Sequence, residues 1–114
     1  MKNYKCNCYY IETDTTNINT NINLFTNTLF NNEVYIKDLR VVDNSSTSAE
    51  KNINVWLTDG SIQTMLSVRN QKIIGGEAIV LSKKNIPLKY NDKLQCNFSN
   101  PNIGISFSIL SCEN

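Results

Sequence analysis

The feature that most constrains the fold is a succession of short stretches in which apolar and polar residues alternate, each ended by turn-forming residues. From residue 52 to residue 112 no stretch shows the helical period of 3.6 residues. The clearest alternation is Ile103–Ile109, which puts four large apolar residues on one face and glycine or serine on the other. A period of two is that of a β-strand with one buried face. The pattern therefore predicts an all-β protein.

Turn-forming residues recur along the chain at the spacing typical of small β-proteins. They are Asn31–Asn32, Asp59–Gly60, Gly75–Gly76, Asn91 and Asn100–Asn102. We predict about eight short strands in an antiparallel β-sandwich of the jelly-roll or immunoglobulin-like type. Asp59–Gly60 predicts a two-residue type I′ hairpin ahead of a strand over 61–68. The nineteen asparagines are expected to replace glycine in left-handed turn positions, Asn91 among them, because the chain has only four glycines.

One apolar stretch changes its parity partway along. Val34 and Ile36 share one parity, whereas Leu39 and Val41 share the opposite one. A β-bulge adds one residue to a strand and so reverses the parity beyond it. We therefore predict a bulge near Lys37–Asp38 that turns both pairs toward the core.

The first third of the chain differs in composition, being rich in Asn and Thr. We predict a single domain over 1–114, with a core sandwich over 33–114 and with 1–32 forming an N-terminal arm or edge strands. Within this segment, Ile18 and Ile22 belong to a strict alternation over 17–26, which predicts a half-buried or edge strand.

Charge and hydropathy narrow the classes of partner. Eleven basic residues face ten acidic ones, which argues against recognition of nucleic acid or an anionic membrane through bulk charge. No stretch reaches the length of a membrane span, and Met1–Tyr10 has no apolar run of the secretory type. We expect synthesis in the cytoplasm.

The chemistry-bearing residues predict no enzyme. The chain has no histidine, which removes the commonest general base and metal ligand. Its carboxylates are scattered singly, and Gly75–Gly76 lacks the lysine and the helix of a phosphate-binding loop. We expect no catalytic residues, no cofactor and no resident metal.

The four cysteines leave three alternatives. Cys6 and Cys8 share one strand face, and Cys96 and Cys112 lie on the last two predicted strands. Core or half-buried free thiols are favoured, since Cys96 lies between apolar residues of its own parity. A disulfide and a four-thiolate zinc site are the other two, although Cys-x-Cys is a poor match to the usual zinc knuckle.

Aromatic residues supply the candidates for a contact surface. Trp56 lies on the polar side of its strand, and Tyr35 is predicted to be partly exposed. Both types of residue anchor protein interfaces. Packing under a loop or on the second sheet, and an aromatic platform for sugar, are the alternatives for Trp56. We predict Trp56, Tyr35, Ile18 and Ile22 as interface residues.

The C-terminal two thirds resembles small one-domain virion proteins of tailed bacteriophages, of the head-decoration, neck and tail accessory type. The stretches that carry this resemblance are Asn54–Gly60, Gly75–Leu81, Ile86–Leu94 and Ile103–Leu110. Within them Leu88–Leu94 matches a Leu-x-x-Gly-Asp-x-Leu corner, with Asn91 in the place of glycine. The resemblance covers roughly residues 33–112 and rests on strand periodicity and turn residues.

The resemblance implies a non-enzymatic structural component of a virion. Such a protein would pack as a homo-oligomer and against capsid, portal or tail proteins, without nucleic acid or membrane as partner. Exposed aromatics and strand addition by residues 13–28 would supply the contacts. The alternative is a carbohydrate- or receptor-binding module, because small sandwiches host both functions.

Overall fold

The computed structural model describes residues 3–113, which form ten strands and no helix. The strands are β1 (Tyr4–Glu12), β2 (Ile22–Thr26), β3 (Asn32–Asp43), β4 (Lys51–Thr58), β5 (Gln63–Met65), β6 (Gln71–Ile73), β7 (Ala78–Ser82), β8 (Ile86–Pro87), β9 (Lys93–Phe98) and β10 (Ile103–Glu113). The prediction of an all-β protein is confirmed. This part of the chain contains no helix long and apolar enough to cross a membrane.

The strands form two antiparallel sheets of five strands each. In the first, which we call the β1 sheet, the order is β1-β10-β3-β7, and β8 also pairs with β3. In the second, the β2 sheet, the order is β2-β9-β4-β5, and β6 also pairs with β4. The pairing is nested: β1 pairs with β10, β2 with β9, β3 with β7 and β4 with β5.

A single hydrophobic cluster fills the space between the sheets. Its fully buried members alternate along the long strands, as in β9, where Leu94, Cys96 and Phe98 face inward. In β10 the inward set is that of the predicted alternation, from Ile103 to Ile109. Each buried side chain of this size contributes about 1.5–3 kcal/mol, so this cluster is the main stabilising element of the fold.

The predicted bulge in β3 is confirmed. The register between β3 and β10 shifts between the pairs Ser108–Lys37 and Ser106–Arg40, which leaves one extra residue on β3. Asp38 lies at this point with a φ of 56°. Both apolar pairs flanking the bulge are consequently buried in the core.

Asparagine takes the left-handed positions of most turns, as expected. The asparagines with positive φ are Asn19, Asn31, Asn70, Asn91 and Asn102. Among the glycines, only Gly60 and Gly76 have a positive φ. Asparagine tolerates this region better than other non-glycine residues because its short polar side chain can bond locally.

The hairpin after β4 differs from the prediction. Thr58 pairs with Gln63, so four residues separate the strands instead of two. Asp59 Oδ1 accepts hydrogen bonds from the backbone N–H groups of Ser61 (2.8 Å) and Ile62 (2.9 Å). This side-chain turn replaces the type I′ geometry. The strand predicted over 61–68 is reduced to Gln63–Met65.

The N-terminal third supplies two edge strands, β1 and β2, one to each sheet. β2 begins at Ile22, not at residue 17, because Asn19 has a φ of 55° and interrupts the predicted alternation. Thr13, buried at the start of the preceding loop, donates through Oγ1 to the carbonyl of Asn100 (2.8 Å). Residues 13–21 are therefore packed onto the sandwich as a loop.

Candidate functional site

The four predicted interface residues do not form one surface. Trp56 lies on the outer face of the β2 sheet, and its side chain is only 4% exposed. Its Nε1 donates to Gln95 Oε1 (3.2 Å), and Met65 lies opposite it on β5. Neighbours on β5 and β9 therefore cover the ring, and little of the indole is open to a partner.

The other three predicted residues are partly buried and lie apart. Tyr35 is on the opposite face of the molecule, paired with Leu110 and Pro87 in the β1 sheet. Ile22 packs against the core, and Ile18 lies in the loop before it. The structure brings none of the four together.

Of the eight large apolar side chains that are exposed among the described residues, four lie on three loops at one end of the sandwich. They are Leu29, Phe30, Ile62 and Tyr90, and we call them the apolar end. The loops leave the β2 sheet at the same level, because Thr26 and Thr58 both pair with Lys93. Phe30 is 69% exposed, and its ring meets that of Tyr90 edge-on at a centroid distance of 5.2 Å.

Asn27 holds two of these loops together. Its side-chain Nδ2 donates to the carbonyl of Leu88 (2.8 Å), and its backbone N–H donates to the carbonyl of Asp92 (2.9 Å). Its Oδ1 accepts from the backbone N–H of Leu29 (3.0 Å). Asn27 is itself buried, so the loop carrying Phe30 is fixed against the turn carrying Tyr90. The apolar end is therefore a preorganised surface.

Strand β1 forms a second candidate contact. Within residues 3–113 its only sheet neighbour is β10, so the opposite edge of β1 has no strand beside it. Cys6, Asn7 and Cys8 in its middle are exposed. A long edge strand is a template on which another strand can pair.

A groove on the outer face of the β2 sheet is the third candidate, with a cavity volume of about 350 Å³. Amide side chains dominate its lining, with one cation and with Trp56 beneath. The lining residues are Asn21, Asn54, Trp56, Gln63, Met65, Arg69, Asn70 and Asn97. Sequence reasoning missed this set, although Asn54 and Asn97 both have the parity opposite to the core residues of their strands.

Hydrogen bonds fix most of these amides. Asn54 and Asn70 bond twice, because Asn54 Nδ2 donates to Asn70 Oδ1 (3.1 Å) and Asn54 Oδ1 accepts from the Asn70 backbone N–H (2.8 Å). Asn97 Nδ2 donates to Asn21 Oδ1 (3.0 Å). Arg69 makes no hydrogen bond or ion pair with the other described residues.

The cysteines are free thiols and are divided between two environments. Cys6 and Cys8 are exposed on β1, whereas Cys96 and Cys112 are buried. Burial raises the pKa of the Cys96 thiol to about 12. Residues 3–113 contain no group of three or more Cys, Asp or Glu side chains placed to hold a metal ion.

Comparison with known proteins assigns no family to the chain. It matches no model of a protein family, and it matches no curated protein.

Proposed function

We propose that this protein is a non-enzymatic structural component of a bacteriophage virion, acting by packing against its own copies and against capsid, neck or tail proteins. The observation that carries the proposal is the apolar end, where four large apolar side chains on three loops are exposed to solvent. Large apolar side chains exposed together are typical of protein–protein contact sites. Aromatic residues such as Phe30 and Tyr90 are enriched at such contacts.

The near-neutral charge favours assembly. Eleven basic and ten acidic residues give a net charge of +1, so little repulsion opposes the approach of a second copy. The hydrogen bonds around Asn27 lower the ordering cost of contact, because the loop bearing Phe30 is already fixed. The open edge of β1 offers a second mode, strand addition. We assign strand addition to β1 and not to residues 13–28, because β1 offers an open edge of nine residues whereas β2, the edge strand of the other sheet, has five.

The strand order supports the jelly-roll type of sandwich over the immunoglobulin-like type. β6 and β8 are short strands added to the two four-stranded paths. In the eight remaining strands, the first pairs with the eighth, the second with the seventh, the third with the sixth and the fourth with the fifth. This nesting is that of a double-sheet jelly roll, whereas immunoglobulin domains divide seven or nine strands differently. Jelly rolls occur in viral capsid and lectin domains. This support is a fold-level analogy, since fold alone does not determine function.

Light scattering across a concentration series tests the proposal. We expect the wild-type protein to form oligomers and Phe30→Ser to shift it toward monomer. Val68→Ser is a matched control, because Val68 is 70% exposed but lies outside the apolar end. A wild-type protein that stays monomeric at high concentration, or equal loss of oligomer in both variants, would overturn the proposal. Genes flanking its own are expected to encode portal, capsid or tail proteins.

A further inference from the structure

We propose that the amide-lined groove on the outer face of the β2 sheet is a saccharide-binding site, in which Arg69 holds the carboxylate of an acidic sugar unit. The groove shares no residue with the apolar end, although Gln63 of the groove directly follows Ile62 of the apolar end. Its cavity volume of about 350 Å³ lies within the range of small-ligand sites, roughly 300–1,000 Å³.

The chemistry of the lining fits sugar hydroxyls. An amide side chain offers two N–H donors and a carbonyl acceptor, while a hydroxyl both donates and accepts. The bond from Asn97 to Asn21 leaves Asn97 Oδ1 available as an acceptor and Asn21 Nδ2 available as a donor. The side-chain amide of Gln63 forms no hydrogen bond with other described residues and adds a further donor and acceptor. The groove therefore presents unoccupied donors and acceptors side by side.

The walls of the groove are preorganised. The double bond between Asn54 and Asn70 fixes one wall. Asn70 takes a φ of 53°, which few residues other than Asn and Gly adopt readily. On the floor, Trp56 is held by Gln95. Binding then immobilises few additional side chains, which lowers its entropic cost.

Charge indicates an acidic sugar. Arg69 is the only charged residue of the lining, and no described carboxylate pairs with it. A guanidinium binds a carboxylate through two parallel hydrogen bonds. Stacking of a sugar ring or a nucleic acid base on Trp56 is ruled out by its exposure of 4%. Recognition of the sugar must therefore depend on hydrogen bonds and on the charge of Arg69.

The position of Trp56 provides the assay, because it is the only tryptophan in the chain and lies under the groove. A glycan array carrying neutral and carboxylated oligosaccharides would first identify a bound sugar. Titration of its acidic and neutral forms, for example sialyllactose against lactose, would then be followed by tryptophan fluorescence. We expect the acidic form to bind more tightly and to change the emission.

Two variants and a matched control test the assignment. Arg69→Ala is expected to bind the acidic form at least about tenfold more weakly, because a charge-assisted pair is lost. Its affinity for the neutral form should be unchanged. Asn97→Ala is expected to weaken both forms. The control is Arg40→Ala, which removes the only other arginine from the outer face of the β1 sheet and should leave binding unchanged.

Three results would overturn the inference. They are an array on which no glycan is retained, binding that Arg69→Ala and Asn97→Ala leave intact, and equal loss in Arg40→Ala. Unfolding curves of each variant separate loss of binding from loss of fold. The outcome is independent of the light-scattering test, since neither variant touches the apolar end.

Discussion

The phenol of Tyr10 lies over Gly104, the neighbour on β10 diagonal to Ser106, with which Tyr10 is paired. A Cβ atom added at Gly104 would stand 2.3 Å from Tyr10 Oη. In this position Tyr10 Oη donates to Glu12 Oε1 (2.7 Å) and accepts from Asn44 Nδ2 (2.8 Å). The bond to Glu12 raises the pKa of Tyr10 above its usual value. Glycine at this point of β10 therefore lets an aromatic side chain lie flat on the outer face of the β1 sheet.

Two glycine substitutions are predicted to differ in cost. Gly104→Ala meets the end of a side chain that can rotate away, so we expect a loss below about 1.5 kcal/mol and a lower Tyr10 pKa. Gly75→Ala would place a Cβ 2.4 Å from the Thr47 carbonyl oxygen and 2.5 Å from that of Ser45. Backbone must move there, at about 2–3 kcal/mol. Urea unfolding measures both, and equal losses would contradict this account.

Asp43 and Lys51 form a buried ion pair at 2.7 Å that is expected to matter for stability. Burial opposes ionisation of Asp43, but the Lys51 ammonium and Ser45 outweigh it, so the pKa of Asp43 lies below its usual value. Asp43→Asn leaves the Lys51 ammonium without a carboxylate, and we expect a loss of about 3 kcal/mol. The double variant Asp43→Leu, Lys51→Met should recover part of it. Unfolding free energies measure both changes.

The sign of the pH dependence follows from the lowered pKa. The stability that Asp43 contributes is present above its ordinary value of 3.8 and is lost as pH falls through the lower value in the fold. Acid titration of the unfolding free energy should therefore be flatter in Asp43→Asn than in the wild type.

Asp59 is predicted to add a second acid-sensitive contribution. The backbone N–H groups of Ile62 and Ser61 lower the pKa of Asp59 from 3.8 to about 2. Its contribution is present above pH 3.8 and is lost as pH falls toward 2. Asp59→Asn keeps an acceptor for the turn but does not titrate, whereas Asp59→Ala removes the acceptor. Carboxyl titration by NMR tests the pKa, and a normal value in the wild type would refute it.

The thiols are predicted to react in two classes. In the folded protein Cys6 and Cys8 are exposed, and an aromatic disulfide reagent should label these two rapidly. Cys96 and Cys112 are buried and should react only after unfolding, when all four are labelled. The double variant Cys6→Ser, Cys8→Ser should lose the rapid class. Rapid labelling that survives in this variant would show that the buried thiols are accessible.

Local features of the fold could be predicted from the sequence. The alternation in β10, the bulge at Asp38 and the left-handed Asn91 all depend on neighbouring residues, which the sequence displays directly. The predicted length of the loop at Asp59 was wrong, because the Asp59 side chain forms a turn that competes with the two-residue hairpin.

The candidate site could not be predicted, because it depends on contacts between strands that are distant in the sequence. Trp56 was placed on the correct, polar side of β4, yet its burial comes from Met65 and Gln95 on neighbouring strands. The amide groove likewise needs Asn54 and Asn97 to be paired across β4 and β9. Periodicity gives the face of each residue but not the partner strand, so neither feature could be derived from it.

The nested pairing has a consequence for biosynthesis. β1 leaves the ribosome before every other strand, but its partner β10 is the last of the ten to emerge. Tyr4–Glu12 therefore remains unpaired on both edges throughout translation, and β2 remains unpaired with β9 for almost as long. Pairing between ends that lie far apart in the chain is slow and leaves unpaired edges exposed to aggregation. Recombinant yield should accordingly improve when a holding chaperone covers the open edges of the nascent chain.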